Sequence, residues 1–322
     1  MLNREALFVV FLQIDGILSR CFYFWRELQS MLPDFSAIEI WPGPMEGVGK
    51  NGFVEAATKL QLTDRWMTPF IRLSQEVPSL NKLTKSISGY LDTGLPLTIQ
   101  LMGNESDLLC KAAEMLLNLP SVTGINLNSG CPSSRVIKHN SGGGLLKSSP
   151  LLFSLCRNLS ASIGAENFSI KIRSGFNTSE EMRDFLPELI SGNMVSKIFF
   201  HYRTVSESYQ ELPKEIRNQR IAEAVKLCKN VPLIANGDID SVEDAAALIN
   251  QTGCSGIMIA RPWLRDPYLL KRFTKNVPDA ESGRTEFFST LKKAGLSGGA
   301  VIEMAKMLWG TNDPRFRALC GK

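Results

Sequence analysis

Cys131 lies in the stretch GINLNSGCPSSRVIKHNSGGGLL (residues 124–146), just after a short apolar-alternating run at Val122, Ile125 and Leu127 that breaks off into Asn128, Ser129, Gly130, Cys131 and Pro132. Pro132 cannot continue a strand ladder and Gly130 relaxes the backbone beside the cysteine, so the thiol is expected to point out of a turn at a strand end. A free cysteine is most often a small buried hydrophobe. Polar, glycine-rich neighbours just past a strand, where barrels and doubly wound sheets carry their chemistry, favour a reactive thiol instead. A thiol with an ordinary pKa of about 8.5 is mostly protonated at neutral pH and suits a general acid. The three glycines at 142–144 predict a close backbone approach to another group, and Ser149-Pro150 predicts a helix start.

A second set of residues would bind rather than react. Lys171 sits between Ile170 and Ile172 in a run that otherwise reads as a buried strand. A cation there implies an anion or polar ligand facing it. Arg173, His201 and Arg203 follow similar runs, as do Gln100, the segment Pro42 to Gly47, the turn Asn236-Gly237-Asp238 and the pair Ala260-Arg261. Open turns after late strands, with a cation nearby, hold phosphate through backbone N–H groups. A tight turn capped by Asp238 would explain the glycine and the aspartate, but not Arg261.

The elements that must position these groups alternate regularly. Strand-like runs fall at 38–41, 66–73, 97–101, 123–127, 169–172, 197–201, 233–235 and 256–259. Between them lie helix-like stretches at 105–117, 179–190, 214–228 and 241–249, with Asn104 and Ser241 as start signals. Eight such units about 30 residues apart predict an α/β fold, a (β/α)8 TIM barrel of roughly 250 residues. A doubly wound sheet is the alternative, but no strand-GxGxxG-helix fingerprint is present. Apolar positions at Phe287, Phe288, Leu291, Leu296, Met304, Met307 and Leu308 predict two or three further helices, a small C-terminal all-helical domain.

Composition narrows the classes. The 322 residues are 44% hydrophobic with a net charge of only +4, so any nucleic-acid surface must be regional. Seven cysteines without CxxC spacing and two histidines, His139 and His201, suggest neither a zinc site nor a disulfide framework. Reduced thiols fit a cytoplasmic protein. No run is long enough to span a bilayer, and residues 1–36 lack a secretory pattern. They read as an N-terminal extension with a surface helix over 17–32, or as sequence upstream of a misassigned start codon. The domain expectation is therefore 1–36, a barrel over 37–275 and a helical domain over 276–322.

Seven motifs in order, PMEGV (44–48), INLNSGCP (125–132), SGGGLL (141–146), KIRSGF (171–176), HYRT (201–204), NGDI (236–239) and MIAR (258–261), resemble the flavin-dependent tRNA-dihydrouridine synthases. The resemblance runs from about residue 41 to 273, and WMTPFIRL (66–73) with the triple glycine is most similar to the branch acting on uridine 16. It implies FMN held by Pro44, Met45, Glu46, Gln100, Lys171 and His201 around the ring, and by Asn236, Gly237, Asp238, Ala260 and Arg261 at the phosphate. It further implies NADPH or NADH as reductant, Cys131 as proton donor, Asn128 and Arg173 near the substrate uridine, and Arg72 against RNA. The family's small helical domain binds tRNA, which assigns an RNA role to the basic tail Lys271, Arg272, Lys275, Arg284, Lys292, Lys293, Lys306, Arg315 and Arg317. Departures are Asn126 where Asp is usual, Ser129 where that branch often has Cys, and Ala260 where Gly is usual. A monomer acting on tRNA, with no metal and no membrane, is the expectation. Its rivals are an FMN-dependent TIM-barrel dehydrogenase of a small metabolite and a non-catalytic RNA-binding relic.

Overall fold

The computed structural model describes residues 34–48 and 51–321. The chain divides into two compact units, Met1–Phe35 and Ser36–Lys322, and the helix expected over 17–32 lies outside the described residues. In the second unit nine strands form one sheet: β1 (Glu39–Pro42), β2 (Trp66–Met67), β3 (Ile71–Arg72), β4 (Leu97–Met102), β5 (Val122–Ser129), β6 (Phe168–Arg173), β7 (Lys197–His201), β8 (Leu233–Asn236) and β9 (Gly256–Ile259). Every ladder is parallel, in the order β1-β9-β8-β7-β6-β5-β4-β2, with β3 also on β4. These are the eight staves of a (β/α)8 barrel.

The second stave, expected as a single run over 66–73, is two short strands. Pro69 has no N–H for the ladder and interrupts it. Thr68 carries the pairing across the break: its N–H donates to the Thr98 carbonyl, and its Oγ1 accepts the Gln100 N–H, both at 3.0 Å. The hydroxyl thus satisfies a buried donor that would otherwise lack a partner.

Helices alternate with the strands: α1 (Asn51–Lys59), α2 (Leu80–Leu91), α3 (Ser106–Leu117), α4 (Ser134–Ile137), α5 (Ser149–Ile163), α6 (Met182–Ser191), α7 (Lys214–Cys228), α8 (Val242–Thr252) and α9 (Arg261–Arg265). In α3, Leu109, Ala112, Ala113 and Leu116 form the buried face that the 3.6 period predicts. Ser241 caps α8 as expected, accepting from the Asp244 N–H at 3.2 Å. Asn104 does not cap α3: Glu105 occupies the N-cap position, and the Asn104 amide instead donates to the His139 carbonyl at 3.1 Å. Ser149 and Pro150 do open α5.

Residues pointing into the barrel change character along each stave. At the start of the strands Glu39 meets Lys197, Arg65 and the Trp41 indole N–H. Above this layer Trp41, Met67, Phe199, Ile234 and Met258 form an apolar plug, with Trp41 edge-on to Phe199 at 5.0 Å. Above the plug the inward positions of β4, β5, β6 and β8 turn polar. That inversion is what a ligand site at the C-terminal ends of barrel strands requires.

After the barrel come α10 (Leu269–Arg272), α11 (Ala280–Lys293), α12 (Gly299–Trp309) and α13 (Pro314–Leu319). Phe53 of α1 stands edge-on to Trp263 of α9 at 5.4 Å and to Phe287 of α11 at 5.3 Å. Each such pair adds about 0.5–1.5 kcal/mol beyond its area burial. Several tail cations expected to face RNA are engaged within the protein. Lys271 is buried on Asp64, Arg272 pairs with Asp266, Arg284 with Glu281, and Arg315 with Glu281 and Asp313. Lys275, Lys292, Lys293, Lys306 and Arg317 stay exposed.

Candidate active site

A cavity of about 790 Å³ opens over the C-terminal strand ends. Its wall includes Pro44, Met45 and Glu46 after β1, Gln100 of β4, Asn128 and Cys131 at the end of β5, and Lys171 and Arg173 of β6. It continues through His201 of β7, Asn236, Gly237 and Asp238 at the end of β8, and Ala260 and Arg261 after β9. The residues implied for the flavin, the proton and the uridine all lie in this wall, whereas Arg72, expected against RNA, lies outside it, half-buried at the end of β3.

Cys131 is set by its neighbours on both sides. Its N–H and that of Gly130 donate to Asn128 Oδ1 at 3.0 and 3.2 Å, while its carbonyl accepts the Gly143 N–H at 3.0 Å. The glycines at 142–144 are buried under the thiol turn, so the close approach they permit is to protein. A Cβ on Gly142, whose φ is +55°, would stand 2.7 Å from Val136 and 3.0 Å from the Cys131 Cβ. Arg173 Nε donates to the Gly130 carbonyl at 2.7 Å, and its Nη1 reaches the carbonyls of Thr204 and Ser208. This arginine therefore ties the cysteine turn to the loop after β7.

Lys171 projects into the cavity with its ammonium on Asn236 Oδ1 at 2.9 Å, and Asn236 is itself oriented by donating to the Met258 carbonyl. Burial, and then the Arg173 guanidinium, lower Lys171 from 10.5 to about 7. His201 accepts the Arg203 N–H on Nδ1 at 3.3 Å, so its proton resides on Nε2, and its ring lies flat against Tyr202. Burial, reinforced by Arg173, Lys171, Arg203 and Arg261, holds it well below its ordinary value and neutral.

The β8 turn is the second focus. Gly237 has φ +114°, and a Cβ there would meet the Tyr202 ring at 2.8 Å; Asp238 follows at φ +50°. The Asp238 carboxylate takes the Tyr202 hydroxyl at 2.6 Å, Arg203 Nη2, and Arg261 Nη2 at 3.2 Å. Burial opposes its charge, but Arg203 and Tyr202 outweigh that and hold the carboxyl below the usual range. Asp238 therefore orients cations and offers an anionic ligand its backbone rather than its side chain. The Ala260 methyl occupies the space over Gly43, where a side chain at 43 would come within 2.6 Å of it.

Two contributors, Arg217 and Tyr209, carried no assigned role in the sequence, and a third, Arg203, stood in the binding set without a specific task. Arg203 is 1% exposed and packs on Tyr202, and its Nη1 is a buried donor without a partner at the cavity wall. Its place two residues after His201 in HYRT was the available signal. Arg217, in the first turn of α7 and 1% exposed, donates to the Asp238 carbonyl and is clamped on Asp244; nothing in its local pattern marks it. Tyr209 is 62% exposed at the rim, with the Arg261 guanidinium 5.5 Å from its ring.

These residues fit a flavin mononucleotide: a strained turn beside Arg261, an orphaned Arg203 donor, and Lys171 and neutral His201, with Gln100 in the wall, for a heteroaromatic ring.

Fold and site together define a parallel (β/α)8 barrel whose cation-rich cavity is built for an anionic ligand. The chain matches the dihydrouridine synthase (Dus) family over residues 42–303 and belongs to it. A tRNA-dihydrouridine(16) synthase of Haemophilus influenzae is 30% identical over 244 residues, 73% of this chain and 77% of that protein. A probable tRNA-dihydrouridine synthase of Helicobacter pylori is 32% identical over 177 residues, 55% of this chain; here the match spans about half, 52%, of the relative's length. Among solved structures, an old yellow enzyme homologue from Zymomonas mobilis shares the fold at 14% identity, with a TM-score of 0.53 over 74% of this chain and 89% of that one. No helix among the described residues is long and apolar enough to cross a membrane.

Proposed function

We propose that this protein is a tRNA-dihydrouridine synthase that saturates the C5=C6 bond of a D-loop uridine, at position 16, with FMN as resident cofactor and NADPH as reductant. The observation that carries the reading is the Cys131 thiol, held on a rigid turn in the same cavity as Lys171, neutral His201 and the cationic Asp238–Arg261 turn. Bound FMN supplies hydride chemistry at its ring. The protein does the rest. Lys171 and His201 present donors to the ring's polar edge, beside Pro44, Met45, Glu46 and Gln100, and the turn Asn236-Gly237-Asp238 with Ala260 and Arg261 receives the phosphate. Cys131 gives its proton to the uracil carbon opposite the one that takes hydride, and the resulting thiolate, facing Lys171 and Arg173, is reprotonated from solvent. Asn128 and Arg173 border the uridine.

The uridine must leave its stack to reach such a cavity. Tyr209 at the rim offers an exposed aromatic face of the kind on which unstacked bases settle. Arg72 and the exposed tail cations Lys275, Lys292, Lys293, Lys306 and Arg317 supply phosphate contacts. The residues from 276 onward, of which helix α11 packs on α1, serve as the tRNA-binding region.

Cys131→Ala tests the chemistry. The variant should keep its flavin and the reduction of that flavin by NADPH, yet lose dihydrouridine formation by about 10²–10⁴-fold, the usual share of a general acid. Unchanged turnover on tRNA would remove Cys131 from that role. The target is read by mapping dihydrouridine in tRNA from a deletion strain: loss at position 16 alone is expected, and loss at 17, 20 or 20a with 16 intact refutes the assignment.

A further inference from the structure

We infer that Asn126, which touches neither the cavity nor Cys131, is a positioning residue for the Cys131 turn and acts through a one-way relay of buried amides. Gln100, Asn126 and Ser169 are neighbours in register across β4, β5 and β6, and all point into the barrel. Gln100 and Asn126 are 0% exposed, with Asn128 and Ser169 at 7% and 8%. The relay starts at a fixed acceptor. The Ser169 hydroxyl donates to the Ile125 carbonyl at 3.3 Å, which leaves Oγ to accept from Asn126 Nδ2 at 2.9 Å. Asn126 Oδ1 must then face Gln100 Nε2 at 2.8 Å, so that Gln100 Oε1 faces Asn128 Nδ2, also at 2.8 Å. Asn128 Oδ1 is what remains, and it receives the Gly130 and Cys131 N–H groups.

Each amide has one workable orientation. Turning any of them sets NH₂ against NH₂ or carbonyl against carbonyl in the barrel interior, where a group left without its partner is costly. The direction set at the Ile125 carbonyl is therefore transmitted to the turn: were Asn128 reversed, its NH₂ would confront two N–H donors and the turn would lose its acceptor. The carbonyl side of the same turn is held independently by Gly143 and Arg173. The relay consequently governs the N–H side, which aims the thiol. No member of it is ionisable, so the N–H side of the turn is held by neutral groups alone, while the charged Arg173 acts on the carbonyl side.

The effect on turnover rests on the proton-donor reading, whereas the effect on thiol access does not. The test uses the full-length flavin-loaded protein. The alkylation rate of Cys131 by iodoacetamide is followed on its own peptide by mass spectrometry, beside kcat, KM and flavin content. In Asn126→Leu, Cys131 alkylation should rise at least about fivefold, the opening that loss of one buried acceptor implies. Its kcat should fall about tenfold with KM little changed, as for a misplaced group. Asn126→Asp should behave as the parent, because a carboxylate accepts from Gln100 Nε2 and from a rotated Ser169 hydroxyl. Parental alkylation in flavin-loaded Asn126→Leu, or equal impairment of the Asp and Leu variants, overturns the inference. A rise in alkylation without a fall in kcat upholds the positioning role and sinks the proton-donor reading. If Asn126→Leu does not fold, Ser169→Ala, which frees the start of the relay, must raise Cys131 alkylation; no change there overturns the inference too.

Discussion

Glu39 and Asp238 stand at opposite ends of one barrel and do opposite things with similar neighbours. At the N-terminal end Glu39 takes Arg65, Lys197 and the Trp41 N–H, and both cations also lie over the Trp41 ring, at 4.9 and 5.1 Å. Both cations there pair with the one carboxylate, and the layer closes the barrel floor. At the C-terminal end Lys171, Arg173, Arg203 and Arg261 converge, and the one carboxylate that pairs with any of them, among the described residues, is Asp238, shared by Arg203 and Arg261. Lys171 rests on an amide, and Arg173 on carbonyls. A surplus of desolvated cation costs stability unless an anion completes it. The contrast therefore separates an end closed by its own side chains from an end where four cations line an open cavity.

The sharpest way to break this contrast is to remove the central cation. Lys171→Met should lose most of the bound flavin, read from the ratio of visible to protein absorbance on purification, while the empty protein gains stability; full occupancy would take Lys171 out of the site. Next comes Gly237→Ala. A methyl there meets Tyr202 at 2.8 Å on a backbone of φ +114°, so flavin affinity should weaken by about tenfold or more, the consequence of roughly 1–3 kcal/mol of backbone strain. Titration of apoprotein with FMN measures it.

A pH series gives a smaller effect with a definite sign. Lys171 is lowered to about 7, and an acceptor on a bound flavin would raise it again. Affinity is thus complete below pH about 7 and declines as pH rises above it, a few-fold per pH unit at most, with the slope absent in Lys171→Met. The empty protein should move the other way. Its unfolded lysine, near 10.5, binds more protons than the folded one, so stability rises over the same interval. The smallest change is expected at the closed end. Glu39 and Arg65 are partly exposed, so Glu39→Gln should cost about 1 kcal/mol, or roughly 2 °C in Tm, and leave flavin affinity untouched. A flavin defect in Glu39→Gln would show that the two ends are not independent.

How much of this could be read from the chain follows from what is local. The period-two pattern marked every stave, because a strand's alternation is a property of its own residues. It failed only where Pro69 splits the second stave and a Thr68 hydroxyl from that stave completes the pairing. The cation in β6, the turn after β8 and the cysteine after β5 were visible as violations of that pattern, and the cavity collects them. Partner choice was not visible. That the triple glycine backs onto Cys131, that Lys271 and Arg315 pair with Asp64 and Glu281, and that Arg217 reaches the Asp238 carbonyl from the first turn of α7 depend on contacts between separate segments, whereas Arg272 and Arg284 find their carboxylates nearby in the chain.

The sequence by itself determined the barrel, the order of its staves and the identity of most groups that face the cavity, since each follows from local alternation and from residue types at strand ends. Tertiary structure alone decided which of those groups are already satisfied and which still want a partner. Hydrogen bonds and ion pairs are short-ranged and directional, so whether Asn128 turns its oxygen to Cys131, or Arg203 keeps one donor unspent, is fixed only when β4, β5, β6, β7 and β8 stand side by side.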